Sequence, residues 1–302
     1  MAINYGIIPA YTDQLSEQLI ATAVLNTDLM EFVDLKAGYS SGTVSINLVD
    51  NDISVLPYDC ATPAAGNINY TQVDVTVADL KSYQALCINT LRDIYQSAFM
   101  SPSMANDNLP FEEVISNQFV EKLQKYNERF IIKGNISEGG AATGVETQLK
   151  ASTATVPAAS AAWTVNNAID QALDLYDAID ESVINREDIA IVCGPAAYRT
   201  LVRALVAQGG AGLFNYVPVE SNQIILLPGT NARVIMTSGL TGNDFAFAGP
   251  MKLIQALTGL TDEMSSFRFV MNEVTDELLF KAAYRLGVGI GQANVFSHNN
   301  LV

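Results

Sequence analysis

From Phe111 onward, apolar residues fall at Phe111, Ile115, Phe119, Leu123, Tyr126 and Phe130. Steps of four and three draw one continuous stripe along a helix. Pro110 stands where a first-turn proline belongs, and Glu112 and Glu113 suit the positive end of a helix. Gly134 stops the pattern as a residue that accepts positive φ. The spacing predicts a helix over 110–133, about 36 Å long at 1.5 Å per residue. That is about twice the usual length. Such a helix reads as a spine across which strands and other helices lie.

Ahead of it the pattern is different. Residues 1–11 read as an extended arm, and Thr12 can cap a helix from Asp13 to about Phe32. Leu15, Leu19, Ile20, Ala23 and Val24 give that helix an apolar side, and it is expected to stand apart from the central mass. Val44, Ile46 and Leu48 alternate with Ser45 and Asn47, and Ile53, Val55 and Leu56 continue in similar style. After a turn region over 63–69, Tyr70, Gln72, Asp74 and Thr76 oppose Thr71, Val73, Val75 and Val77. Two strands around a soft tip predict a long hairpin. It carries few large apolar residues, so it cannot fold alone. It lies on a neighbouring subunit or on the chain's own core. Residues 81–106 read as helical or mixed.

Behind the spine, 150–162 is rich in Ala, Ser and Thr and reads as a linker. A second domain is expected from Trp163. Thr164 caps a helix whose apolar face is Val165, Ile169, Ala172, Tyr176, Ile179 and Val183. Its other side carries Asp170, Asp174, Asp177, Asp180 and Glu181. Carboxylates spread along a helix rarely converge on one ion, so a solvated face is the better reading than a metal site. Ile189–Val192 reads as a buried strand, Gly194-Pro195 as a turn, and 196–207 as a helix. Short strands follow at 224–227, 233–236 and 245–248. Helix, strand, helix and short strands make an α/β domain. Strands are expected again over 267–274 and 278–290, with 292–296 closing the sheet.

The chain has 302 residues, 49% of them hydrophobic, enough for a large core and two domains. With 16 Lys and Arg against 32 Asp and Glu, the formal net charge is −16. That argues against affinity for free nucleic acid, which needs clustered cations. Yet Lys122, Lys125, Arg129 and Lys133 fall within about 80° of each other on the spine helix. They complement the negative helix end, or they face a polyanion or an acidic segment of a partner. Cys60, Cys87 and Cys193 are widely spaced and form no C-x-x-C pair, which fits unpaired thiols in a reducing compartment. The first residues lack a basic, then apolar, secretion pattern, and no stretch is apolar enough to span a membrane.

Catalytic chemistry finds little support. The single histidine, His298, falls in a stretch expected to fray, so no triad is built around it. Cys193 reads as a buried structural thiol rather than a nucleophile. The zinc, Walker and dinucleotide-binding patterns are missing. No catalytic, cofactor-binding or metal-ligating residue is therefore assigned.

The order of parts resembles the major capsid protein of tailed bacteriophages, an α+β Hong Kong 97-like capsid fold. The resemblance rests on the hairpin of 42–78 ahead of the long helix, and on the phrase Asn-Glu-Arg-Phe-Ile-Ile-Lys-Gly-Asn at 127–135 that ends it. Gly144-Val145-Glu-Thr, Cys-Gly-Pro-Ala-Ala-Tyr-Arg-Thr-Leu at 193–201, and Phe245-Ala-Phe-Ala-Gly also fit. It implies an N-terminal arm over 1–38, an extended loop over 39–80 and a peripheral domain over 81–155 with the spine helix. An α/β axial domain over 156–266 and C-terminal strands over 267–302 returning to the peripheral domain would follow.

It implies hexamers and pentamers tiling an icosahedral shell around double-stranded DNA, with scaffolding, portal and cement proteins as partners and assembly in the cytoplasm of a bacterial host. Scaffolding would be a separate protein or already removed. An encapsulin-type compartment shell is the alternative within the fold, and a soluble α/β enzyme or binding protein the alternative outside it.

Some shells of this kind are welded by a bond between a hairpin lysine and a neighbour's asparagine, with a buried glutamate as base. The hairpin here has no lysine between 42 and 78; Lys36 and Lys81 only flank it. Where the asparagine and the glutamate belong, the chain reads Thr275-Asp276-Glu277 and Ala282-Ala283-Tyr284. The expectation is a shell held without covalent links.

Overall fold

The computed structural model describes residues 29–53, 66–87, 111–134, 140, 142–152, 154–157, 161–208, 225–259, 266–272 and 277–301. The expected arm and helix over 1–28, the hairpin tip over 54–65 and the stretch 88–110 lie outside these.

The spine forms where the periodicity places it, as α1 (Phe111–Lys133). Phe119, Leu123 and Phe130 are buried and Tyr126 packs beside them. The helix is less one-sided than its stripe suggests. From Asn127 to Ile132 only Arg129 is exposed, and Val120, Asn127, Glu128, Ile131 and Ile132 are buried as well. The final turns are enclosed because they run between two packed units of the fold.

The first sheet has the strand order β1-β8-β10-β3-β2: β1 (Asp34–Ala37), β8 (Ile254–Thr258), β10 (Glu277–Ile290), β3 (Gly66–Cys87) and β2 (Gly42–Ile53). A further strand, β9 (Ser266–Asn272), pairs with β10. The hairpin is the outer half of this sheet. β2 pairs antiparallel with β3 from Gly42↔Val77 out to Ile53↔Gly66. β3 does not end there. It runs on to Cys87 against β10, from Leu286↔Ala78 to Glu277↔Cys87, so residues 81–87 are strand and not the expected helical or mixed segment. Lys81, Tyr83, Gln84 and Ala85 are exposed. Without an apolar period, pairing to β10 alone decides their conformation.

The second sheet has the order β11-β7-β4-β6-β5: β11 (Ser297–His298), β7 (Ala246–Pro250), β4 (Ile189–Cys193), β6 (Arg233–Met236) and β5 (Ile225–Leu226). Its central strands β4 and β7 are buried on both faces, and the period of two sorts the side chains of the sheet. Ile189, Ile191, Cys193, Val234, Ala246 and Ala248 join one core with α3 (Ala168–Asp177) and α4 (Pro195–Gln208). Ala190, Val192, Ile235 and Phe247 face the other core, shared with α1, with α2 (Val145–Ala151) and with β10. A continuous apolar run is how a strand covered on both faces reads in sequence.

Four expectations are corrected by this packing. Residues 29–32 form a turn, with the Phe32 N–H donating to the Leu29 carbonyl, and Leu29, Met30 and Val33 are buried in the main core rather than standing apart. α3 begins at Ala168, not after Thr164. Thr164 opens a turn in which Asn167 Oδ1 accepts from its N–H at 2.7 Å. The buried face is therefore Ala168, Gln171, Ala172 and Leu175, and Val165 is exposed. Within the expected linker, α2 extends to Ala151, and Thr155 bridges to Ser297. Residues 293–295 form a 3-10 turn, and the closing strand is Ser297–His298, paired with β7 in the second sheet.

Candidate assembly surfaces and the spine-helix junction

The phrase that ends the spine helix owes its composition to contacts on all sides. Asn127 accepts a short hydrogen bond from the Tyr284 hydroxyl on β10. Burial pushes the Tyr284 hydroxyl pKa well up, so it is a donor throughout the physiological range. The Glu128 carboxylate, 3% exposed, accepts from Thr237 Oγ1 at 2.9 Å and from the Ser238 hydroxyl at the end of β6. Gly239 allows this approach: a Cβ there would lie 2.6 Å from the Glu128 carbonyl oxygen. Phe130, Ile131 and Ile132 fill the core. Gly134 then turns the chain at φ +73, where a Cβ would meet the Ala142 carbonyl at 2.4 Å. The junction thus ties the spine to both sheets. Phe119 and Phe280 add a stacked pair 5.5 Å apart.

Opposite the buried side, Lys122, Lys125 and Arg129 are exposed and Lys133 is half-buried. Lys125 pairs with Glu121 at 2.7 Å, and its hydrogen bond holds the Glu121 carboxyl below its usual range. A cleft of about 300 Å³ lies between the spine and β3, lined in part by Lys81, Lys122, Leu123, Tyr126 and Tyr284.

Among the described residues, the hairpin packs on the core at its root. Val75 and Val77 are buried with Leu257, and Val73, Val44 and Ile46 pack around them. Further out, Ile68 is 53% and Tyr70 74% exposed. The segment 37–80 contains no Lys or Arg, and five aspartates: Asp50, Asp52, Asp59, Asp74 and Asp79.

The remaining candidates are placed plainly. Cys193 is fully buried and burial pushes its thiol up to about 12, so it is no nucleophile at neutral pH. Cys87 is exposed, and Cys60 lies outside the described residues. His298 is not frayed: it is 3% exposed within β11. The acids of α3 do not gather. Among the described residues no three His, Cys, Asp or Glu side chains are arranged to hold a metal ion, and no helix is long and apolar enough to cross a membrane. Sequence reasoning missed Glu128 and Asn127 as buried polar anchors. The signal available was their place on a helix bracketed by Tyr126 and Phe130.

No family model matches the chain, and no curated protein matches it. Solved structures do. Mycobacterium phage Ogopogo is 13% identical over 89% of this chain and 90% of that one, with a TM-score of 0.58. The satellite phage P4 procapsid with its size determination protein is 10% identical over 93% and 96%, at 0.57. A virus-like particle from Pyrococcus furiosus is 12% identical over 95% and 98%, at 0.53. The chain has the Hong Kong 97 capsid fold, α+β with two sheets, and the likeness runs along nearly its whole length.

Proposed function

We propose that this chain is the structural subunit of an icosahedral phage capsid, assembling into hexamers and pentamers around double-stranded DNA. The observation that carries the reading is the hairpin: a long two-stranded ribbon with a small root core and with Ile68 and Tyr70 exposed on its outer half. Apolar surface of that kind on a projecting element marks a contact with another chain. The likeness to a phage structure and to a phage procapsid across about nine-tenths of the chain supports it.

In this reading 1–38 is the arm, 39–80 the extended loop, 81–155 the peripheral domain, 156–266 the axial domain, and 267–302 the returning strands. Three strands cross these bounds: β3 runs through the one at 80/81, β8 joins the first sheet and β11 the second. Partners are further copies of the chain, with scaffolding, portal and cement proteins; DNA is contacted without sequence preference. The location is the virion shell, assembled in the host cytoplasm. No catalytic role is proposed.

The second reading is a compartment shell of encapsulin type, kept because the fold recurs in a virus-like particle. Negative-stain microscopy of the purified protein decides for or against a shell, with closed particles or rings expected and monomers alone counting against it. Nuclease-resistant DNA inside particles favours the capsid, and protein cargo favours the compartment.

A further inference from the structure

The segment 295–301 stitches the two halves of the fold together. His298 donates its N–H to the Thr155 carbonyl at 3.0 Å, and Thr155 donates back to Phe296 at 2.9 Å. Ser297 Oγ donates to the Leu175 carbonyl of α3 at 2.5 Å. Asn299 brackets β7, accepting from the Ala246 N–H at 3.0 Å and donating to the Asp244 carbonyl at 2.7 Å. The Leu301 carbonyl accepts from Lys150 Nζ of α2 at 3.0 Å. The chain's single histidine sits inside this clasp.

The His298 ring lies 5.9 Å from the Phe245 ring, and Lys150 Nζ lies 4.9 Å from that same Phe245 ring. His298 Nδ1 accepts from the Asn300 N–H at 3.1 Å. An imidazole nitrogen that accepts carries no proton, so the ring is neutral with its proton on Nε2. Asn300 itself is held at φ +51, a backbone conformation that asparagine tolerates.

We propose that His298 makes this clasp acid-responsive: protonation at Nδ1 opens the segment 295–301 from α2 and β7. The added proton converts an acceptor facing an N–H into a second donor, so the Asn300 bond is lost. It also places a positive charge in a buried site beside the Lys150 ammonium. Lys150 is paired at 2.8 Å with Glu146 on the same helix, which leaves that carboxylate already engaged. β7 (Ala-Phe-Ala-Gly-Pro) and residues 154–157 bring no ionisable side chain; α3 contributes the Leu175 carbonyl, with its Asp170 and Asp177 exposed and its Asp174 half-buried, and Asp244 ahead of β7 is half-buried and meets the clasp through its carbonyl.

Burial first, and Lys150 second, hold the folded His298 pKa below the ordinary 6.5. The unfolded chain therefore binds the proton more readily. The stability His298 contributes is complete above about pH 6.5 and is lost as pH falls through the lower, folded value.

The test uses the full-length protein, as subunit or particle. Exchange of the His298 C2 hydrogen, followed by mass spectrometry, reads its titration directly because no other histidine contributes. The expected midpoint lies below 6.5, and Lys150→Met moves it upward. Amide exchange in 295–301, corrected for intrinsic rates, should rise roughly tenfold or more between about pH 7.5 and pH 5. His298→Asn, which keeps an acceptor at the δ position and cannot titrate, should hold that protection over the same range. A midpoint at or above the ordinary value overturns the proposal, as does an equal rise in both proteins. If the Asn variant does not fold, the C2 midpoint and the pH dependence of protection in the natural sequence decide alone.

Discussion

Glu128 and Thr237, 109 residues apart in sequence, are joined by a hydrogen bond of 2.9 Å across the seam between the spine helix and the second sheet. Both groups are buried, so water cannot replace either partner. Glu128→Ala leaves the buried Thr237 hydroxyl and the half-buried Ser238 hydroxyl without this acceptor and should cost about 1–3 kcal/mol. Gly239→Ala forces a methyl against the Glu128 backbone and should cost a similar amount, about 1–3 kcal/mol, by overpacking. Denaturant unfolding of the subunit checks both; unchanged midpoints would mean that the seam does not bear on stability.

The hairpin prediction separates folding from assembly. Replacing residues 50–70 by a two-residue Asn-Gly turn should leave a soluble, folded subunit that forms no particles. The root contacts of Val75 and Val77 with Leu257 are retained. Circular dichroism and microscopy of the same preparation read the two outcomes, and unfolding of the shortened subunit would count against the reading.

Changing Lys122, Lys125 and Arg129 together to Gln should leave the unfolding midpoint nearly unchanged, since all three are exposed. Yield or rate of particle formation should change, because Lys122 lines the cleft along β3 and Lys125 and Arg129 are exposed on the same helix. The unaltered subunit should show negligible affinity for free DNA at physiological salt, as expected of a chain with net charge −16. Tight, sequence-selective DNA binding would contradict this.

Thiol reactivity should follow exposure. In the native protein Cys87 is expected to react with a maleimide well before Cys193, whose thiol is buried and pushed up to about 12. Peptide mapping of partially modified protein reads the order, and early labelling of Cys193 in folded protein would show that the second core opens.

Boiled, reduced particles should run as one band near 32.5 kDa. The hairpin offers no lysine between 42 and 78, and the β10 segment that would have to supply the base reads Ala282-Ala283-Tyr284. Burial raises the Tyr284 pKa, so its hydroxyl stays protonated and does not serve as the base either. A ladder of linked subunits surviving heat and reductant would refute a non-covalent shell.

Local periodicity determined the spine helix, the paired hairpin strands and the buried strand Ile189–Cys193, because each side-chain pattern repeats with the backbone that carries it. It could not determine residues 81–87, which are strand only because β10 lies beside them. Nor could it fix the face of α3, where a turn at Thr164–Asn167 delays the helix and brings Leu175 inward while the Tyr176 hydroxyl reaches Asn231 at 2.7 Å. The buried roles of Glu128 and His298 come from partners more than a hundred residues away, Thr237 and Thr155. A charged residue on a helix and a histidine in the last few positions read as solvent-facing until those partners close over them. Sequence sets what each segment can form; which polar groups are buried is settled only when the two sheets meet across the spine.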